Sequence, residues 1–440
     1  MKNNMIKTLI ILIAVYTGCK EEPPVVPLPP EPKAVLTIQD VCCIEAWIKL
    51  ELENIDLPVN VSLFKDSIPV LQINNLTGND TIIYTDSLQP NQAYKFQSVI
   101  QPTNQSMEVK SNELLVTTLT PTSQSYTWQA YSWGMHSSSE IKDIAIIDES
   151  NIWCVGEIYM NDSLGNPEPS CYNAVHWDGN NWELKRIYTY SSCNPVDYAP
   201  LKAIWAFSEN NIAVTSGGSI GWFDGNTNRA DCGIRSILTG SINKLWGSSS
   251  SDLYAVGNNG NIARYYNGQW SRIETGTDIN FRDIYGSINK DNNEVEIIAL
   301  ASNSGINQRK KIVRIKDQIV ETLPDSGLAD YLSTLWFISG RKYCIGGQGY
   351  YESETFGPVW ERDDTKPPFH ITTIRGAGLN DIALGGSFGL LMHYNGVNWI
   401  NYAYITASYF DVITEVAIKG NTIVAAGFKG IKAVVMIGKR

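Results

Sequence analysis

The stretch Trp246–Trp270, WGSSSSDLYAVGNNGNIARYYNGQW, contains two short apolar runs, each closed by a turn signal. Leu253 to Val256 runs into Gly257-Asn-Asn-Gly260, and Ile262 to Tyr266 runs into Asn267-Gly268. Asn-Gly is a preferred two-residue hairpin turn, because both central residues need positive φ. Trp270 then opens a further run, so the segment reads as successive antiparallel strands of four to six residues. The same order recurs along the chain. A unit opens on apolar-x-x-Ile/Leu, often followed by an aromatic residue: Ile141, Leu201, Ile242, Phe281, Leu332, Ile371 and Phe410 are the starts. Each start is followed by a second strand such as NIWCVG (151–156) or DIALGG (381–386). A third strand ends in Asp-Gly or Asn-Gly, and a fourth opens on Trp182, Trp270, Trp360 or Trp399.

Four short strands in a unit of about 40 residues is the arithmetic of a β-propeller blade. Seven starts predict seven blades over residues 121–440. The last unit has room for only three strands, and the Trp-led segment 126–133 (YTWQAYSW from Tyr126) has the pattern of a fourth. That segment is expected to pair with the C-terminal strands and close the ring, which protects edges that an open sheet would expose. The cleanest copy, 246–270, resembles propellers of exported bacterial proteins. The Gly-His and Trp-Asp signature of WD-repeats and the Ser-x-Asp-x-Gly-x-Thr-Trp box of sialidases are both absent.

The first eighteen residues read as an address and not as part of the fold. Lys2 and Lys7 precede an apolar run, Leu9 to Val15, that is too short for a membrane span. Tyr16-Thr17-Gly18-Cys19 resembles the lipobox of bacterial lipoproteins, which implies cleavage before Cys19 and lipidation there. Cleavage leaves 32 basic against 45 acidic residues. An acidic chain does not adhere to an anionic bilayer, so the lipid is the expected membrane attachment. Lys20-Glu21-Glu22 resembles the signal that sends some outer-membrane lipoproteins to the cell exterior. Residues 19–33 continue as a Pro-rich stalk that favours extended polyproline II.

Residues 34–120 carry short alternating runs, among them Cys43 to Leu52, Val59 to Phe64 and Ala93 to Ile100. Turn signals separate them, which predicts a small β-sandwich. Leu88 to Phe96 (LQPNQAYKF) and Ser111 to Thr118 (SNELLVTT) resemble the fibronectin type III pattern. The resemblance implies that the Tyr94 hydroxyl ties down a corner, that Trp47 is the core aromatic, and that the module is a spacer. The fold class is therefore all-β: a fibronectin type III-like sandwich followed by a seven-bladed propeller.

Composition narrows the chemistry. The formal charge of −11 opposes a nucleic-acid partner, since phosphate binding needs clustered cations. There is no HExxH and no paired CxxC, so neither a metal nor any other cofactor is expected. No nucleophile-elbow motif occurs, and no catalytic residue is assigned. His176 and His393 share one repeat position, which points to a structural role; His370, just before the sixth unit, stands apart. Arg375 occupies the position held elsewhere by Trp205, Trp246, Tyr285 and Trp336, and a guanidinium there needs a partner.

The loops between second and third strands, and between units, share one face of a propeller. Long ones run from Glu157 to Tyr172, Tyr188 to Pro200 and Glu361 to His370. They carry Tyr159, Tyr172, Tyr190 and Tyr198, together with Asp363 and Asp364. Aromatic faces beside carboxylates suit sugar rings and hydroxyls. With His370 and Arg375 these are the candidate ligand-binding residues. Cys171 and Cys193 fall on the same loops and are the expected disulfide. The leading expectation is non-catalytic binding of a glycan or another surface macromolecule. A glycoside hydrolase or polysaccharide lyase, and a scaffold for a protein partner, are the alternatives.

Overall fold

The computed structural model of the chain describes residues 30–103, 108–191, 193–304 and 308–440. Cys19, the lipobox and the stalk up to residue 29 lie outside the described residues. Strands dominate. Seven antiparallel sheets, I to VII, open on Glu140–Asp148, Ala203–Ser208, Ile242–Ser249, Phe281–Ile288, Leu332–Ile338, Ile371–Gly378 and Val412–Lys419. Each opening strand packs against the opening strand of the next sheet, and that of sheet VII packs against that of sheet I. The opening strands thus line a central channel. Thr127–Trp133 is the outer strand of sheet VII, with Trp133 opposite Ala433 and Thr127 opposite Lys439. Sheet V has three strands, and Trp360, expected to open a fourth, is instead buried in an irregular segment between two isolated bridges.

The opening strand is bulged at Lys142, Asn243, Arg282, Ser333, Thr372 and Thr414 in sheets I, III, IV, V, VI and VII. A bulge re-aims the side chains that follow it. This register corrects the last unit: Ile413, not Phe410, pairs with Gly427 as Ile371 pairs with Gly386. The aromatic fifth positions pack between sheets. The Trp246 ring lies where a Cβ on Gly286 of the next sheet would stand, and Trp336 lies over Gly376, its indole N–H donating to the Gly376 carbonyl at 3.1 Å. Any side chain at either glycine would displace a buried tryptophan.

The N-terminal strands form two sheets around one core of Leu36, Ile48, Leu50, Leu63, Phe96 and Val116. The Gln89 backbone N–H donates to the Tyr94 hydroxyl at 2.8 Å. Trp47 departs from expectation. Ala46, Ile48 and Leu50 face the core, so side-chain alternation sends Trp47 to the opposite face. There it packs with Cys42, Cys43 and Leu379 of sheet VI, and the Arg341 guanidinium lies 5.5 Å from its ring centre. Arg341 is 1% exposed and pairs with Asp291, while Lys290 pairs with Asp40 at 2.9 Å. The sandwich is docked through its own aromatic onto the turns at the far end of the opening strands.

Candidate functional site

The residue after each bulge projects into the channel. Asp143, Lys244, Asp283, Thr334, Thr373 and Glu415 meet there. Asp143 accepts from the Ile204 N–H at 2.9 Å, Asp283 from the Leu335 N–H at 3.0 Å, and Thr373 from the Val416 N–H at 3.3 Å, so each of the three reaches the backbone of another sheet. Lys244 spans the channel to Asp143 at 2.7 Å and Glu415 at 2.6 Å. Arg375 reaches Asp283 at 2.9 Å and Glu415 at 3.2 Å. Burial opposes both cations, but the carboxylates around them hold each above its ordinary value. Burial pushes the Glu415 carboxyl up despite Arg375 and Lys244, and Asp143 and Asp283 push the same way. This network is a plug that staples the sheets together. A cavity of about 200 Å³ beyond it, walled by Trp205 and Tyr285, is smaller than ordinary ligand pockets.

The opposite mouth, on the face of the long loops, is built by the bulge residues of the opening strands and by Lys202, just before the opening strand of sheet II. Lys142 is neutralised by Glu157 at 2.6 Å, and Tyr159 donates to the same carboxylate at 2.9 Å. The Lys202 amine donates to the Asn243 side-chain oxygen at 2.5 Å. Arg282 donates to the Ser302 carbonyl at 2.9 Å, and its guanidinium lies 5.8 Å from the Tyr331 ring centre. Tyr331 stacks on His370 at 5.1 Å, and His370 hydrogen-bonds Ser333 at 2.9 Å. Next in the chain, Phe369 packs against Phe388 at 5.1 Å. A continuous rim therefore runs from two cations, across a stacked Tyr–His pair, to an aromatic pair.

Phe388 is the deviant of this rim. It is 67% exposed and has φ of 60°. The equivalent turn of sheet III places Asn259-Gly260 where sheet VI places Phe388-Gly389, and Asn259 also has φ of 60°. Asparagine tolerates the left-handed region; a bulky residue pays about 1 kcal/mol to stand there. Sequence reasoning missed Phe388, although the replacement of Asn by Phe in an otherwise regular turn was legible.

The candidate ligand residues from sequence do not form one site. His370 stands on the rim, and Tyr159 at its sheet I end. Burial lowers the His370 imidazole. Tyr172 lies under the Arg186 guanidinium at 3.8 Å, Tyr190 donates to the Asn228 carbonyl at 2.6 Å, and Tyr198 packs at a tilt against Tyr188 at 4.6 Å; these three serve loop packing. Asp363 is held by Lys366 at 2.6 Å, and Asp364 pairs with Arg362 at 3.2 Å, on the outer edge of sheet V. Arg375 belongs to the plug.

The expected Cys171–Cys193 pair is replaced by Cys193–Cys232, with Cα atoms 5.3 Å apart. The hairpin Thr189–Ser191/Asn194–Asp197 carries Cys193 near its tip. Tyr190, together with the Asn228 amide donating to the Tyr188 carbonyl at 2.6 Å, pins that hairpin to the outer strand of sheet II, beside Cys232. Cys171 is a buried thiol donating to the Tyr198 carbonyl at 3.0 Å. Thiol mapping of the non-reduced, unfolded chain is expected to label Cys171 and Cys154, and to recover Cys193 and Cys232 as one linked peptide pair.

No family model matches the chain, and no curated protein matches it. Among solved structures it is similar to YCF48 bound to D1 peptide, with a TM-score of 0.51 and 14% identity over 73% of this chain and 97% of that one. It is also similar to the WD40 β-propeller domain of Doa1, with a TM-score of 0.48 and 13% identity over 72% and 97%. Likeness at this identity speaks for the fold alone: the repeat region has β-propeller architecture.

Proposed function

We propose that this chain is a lipid-anchored protein of the outer cell surface that binds a glycan without catalysis. In this reading Cys19 carries the lipid and the N-terminal sandwich is a fibronectin type III-like spacer. The seven sheets are the blades of one propeller, and the loop-side rim is the binding face. Propeller architecture suits binding or scaffolding in general. Phe388 carries the reading: a strained, solvent-facing ring paired with Phe369 is a surface on which the C–H face of a sugar stacks. The channel carboxylates support a non-catalytic role, because backbone N–H groups and cations already occupy them.

The test is a panel of polysaccharides incubated with the intact chain, reading bound protein and released sugar together. Binding without release is the expected result, and release of oligosaccharide overturns it. Phe388→Asn is expected to abolish binding while raising stability by about 1 kcal/mol, because Asn relieves the left-handed backbone. Urea unfolding beside the panel checks both halves. The peptide carried by the YCF48 structure favours a second reading, a protein partner on the same face. Absence of both binding and release across the panel would select it.

A further inference from the structure

We propose that Lys202 and Arg282, with Asn243 between them, form a subsite for the carboxylate of an acidic polysaccharide. The inference rests on the glycan reading and deepens it. Asn243 and Arg282 are the bulge residues of the opening strands of sheets III and IV, and Lys202 immediately precedes the opening strand of sheet II, so the ring geometry brings them side by side at the loop-side mouth. Their neighbour Lys142 has its counter-ion in Glu157. Among the described residues, neither Lys202 nor Arg282 has a carboxylate partner. Lys202 bonds only to the neutral Asn243 amide, and Arg282 to one backbone carbonyl.

Asn243 is itself fixed. Its amide nitrogen donates to the Phe281 carbonyl at 2.7 Å and the Asn258 side chain at 2.9 Å, which turns its oxygen towards Lys202. Burial lowers the Lys202 amine, and the charges of Lys142 and Arg282 lower it further. Two like charges are thus held close without relief, in a chain whose formal charge is −11. An incoming anion would relieve that repulsion and accept charge-assisted hydrogen bonds from both groups. Arg282 continues through Tyr331 and His370 to Phe369 and Phe388, so one polymer can lay a ring on the aromatic pair and a carboxylate on the cations. That combination favours a uronate-type glycan over an acidic peptide, which offers charge without a row of C–H faces.

The experiment uses the intact chain with polygalacturonate, with the same polymer fully methyl-esterified, and with polyglutamate. Esterification removes the charge and keeps the sugar backbone. The acid form is expected to bind about tenfold more tightly than the ester, the scale of a charge-assisted contact. Lys202→Gln and Arg282→Gln are each expected to erase most of that preference, and urea midpoints close to that of the wild type show that the variants are folded. Arg282→Lys should retain it. Equal binding of acid and ester, or a preference that survives both Gln variants, overturns the subsite and leaves the glycan reading standing. Polyglutamate bound as tightly as polygalacturonate overturns the commitment to a glycan carboxylate. Binding to none of the three while another polysaccharide of the panel binds overturns the subsite alone, and binding to nothing in the panel overturns the reading beneath it as well.

Discussion

Replacing Arg375 with Met is expected to cost about 3–5 kcal/mol, the range for removing one partner of a buried ion pair. The guanidinium contacts Asp283 at 2.9 and 3.0 Å and Glu415 at 3.2 Å, and the side chains of these acids are only 3% and 8% exposed. Methionine fills similar volume, so the loss measures uncompensated charge and not a cavity. Asp283 keeps its bonds from the Ile284 and Leu335 N–H groups, but three acids would then face Lys244 alone. Urea unfolding followed by tryptophan fluorescence gives the magnitude. The same variant tests the assignment of Arg375 to the plug. Asp283→Asn made in the Arg375→Met background should cost less than in the wild type, because the two act as one unit. Full additivity would mean that the pair is not coupled.

Arg440→Ala is expected to cost about 3 kcal/mol by the same mechanism. Its side chain is 7% exposed and pairs with Asp381 at 2.7 Å. It also donates to the Tyr126 hydroxyl at 2.8 Å and the Gly420 carbonyl at 2.9 Å. One side chain therefore joins sheet VI, a turn of sheet VII and the approach to the closing strand. The effect carries a pH signature. Burial raises Asp381, but His393 and Arg440 outweigh it and hold the carboxyl below its ordinary range. A depressed acid contributes stability above its unfolded value, about 3.9, and loses it as pH falls through the lower folded value. The gap between wild type and Arg440→Ala should be widest at neutral pH and narrow below about pH 4. A gap constant with pH would place the effect in packing instead.

The repeat was legible because hairpin chemistry is local. Asn267-Gly268 and Asn395-Gly396 mark turns by their own backbone preferences, whatever lies around them. The phase of the last unit was not legible. Phe410-x-x-Ile413 and Ile413-x-x-Val416 satisfy the same apolar spacing, and only the pairing of Ile413 with Gly427 separates them. Trp47 misled for a different reason. In AWIKLELE it alternates with Lys49 and Glu51, so the period of two already set it opposite Ala46, Ile48 and Leu50; only the tertiary structure shows that this otherwise polar face meets the propeller. The tyrosines of the long loops were conspicuous by type, yet Arg186 and Asn228 from outside those loops engage Tyr172 and Tyr190, and Tyr198 packs on Tyr188 at the other end of its own loop.

Strand content, turn positions and the period of about 40 residues belong to the sequence by itself, since each depends on neighbours a few residues apart. The partners of Arg375, the Cys193–Cys232 bond and the Lys202–Asn243–Arg282 arc belong to the tertiary structure. The residues that meet lie 39 to 92 apart along the chain. The ion pairs and the arc form because successive sheets bring their opening strands round to one axis, and the disulfide forms because the hairpin folds onto the outer strand of sheet II; contacts between residues so far apart leave no local pattern to read.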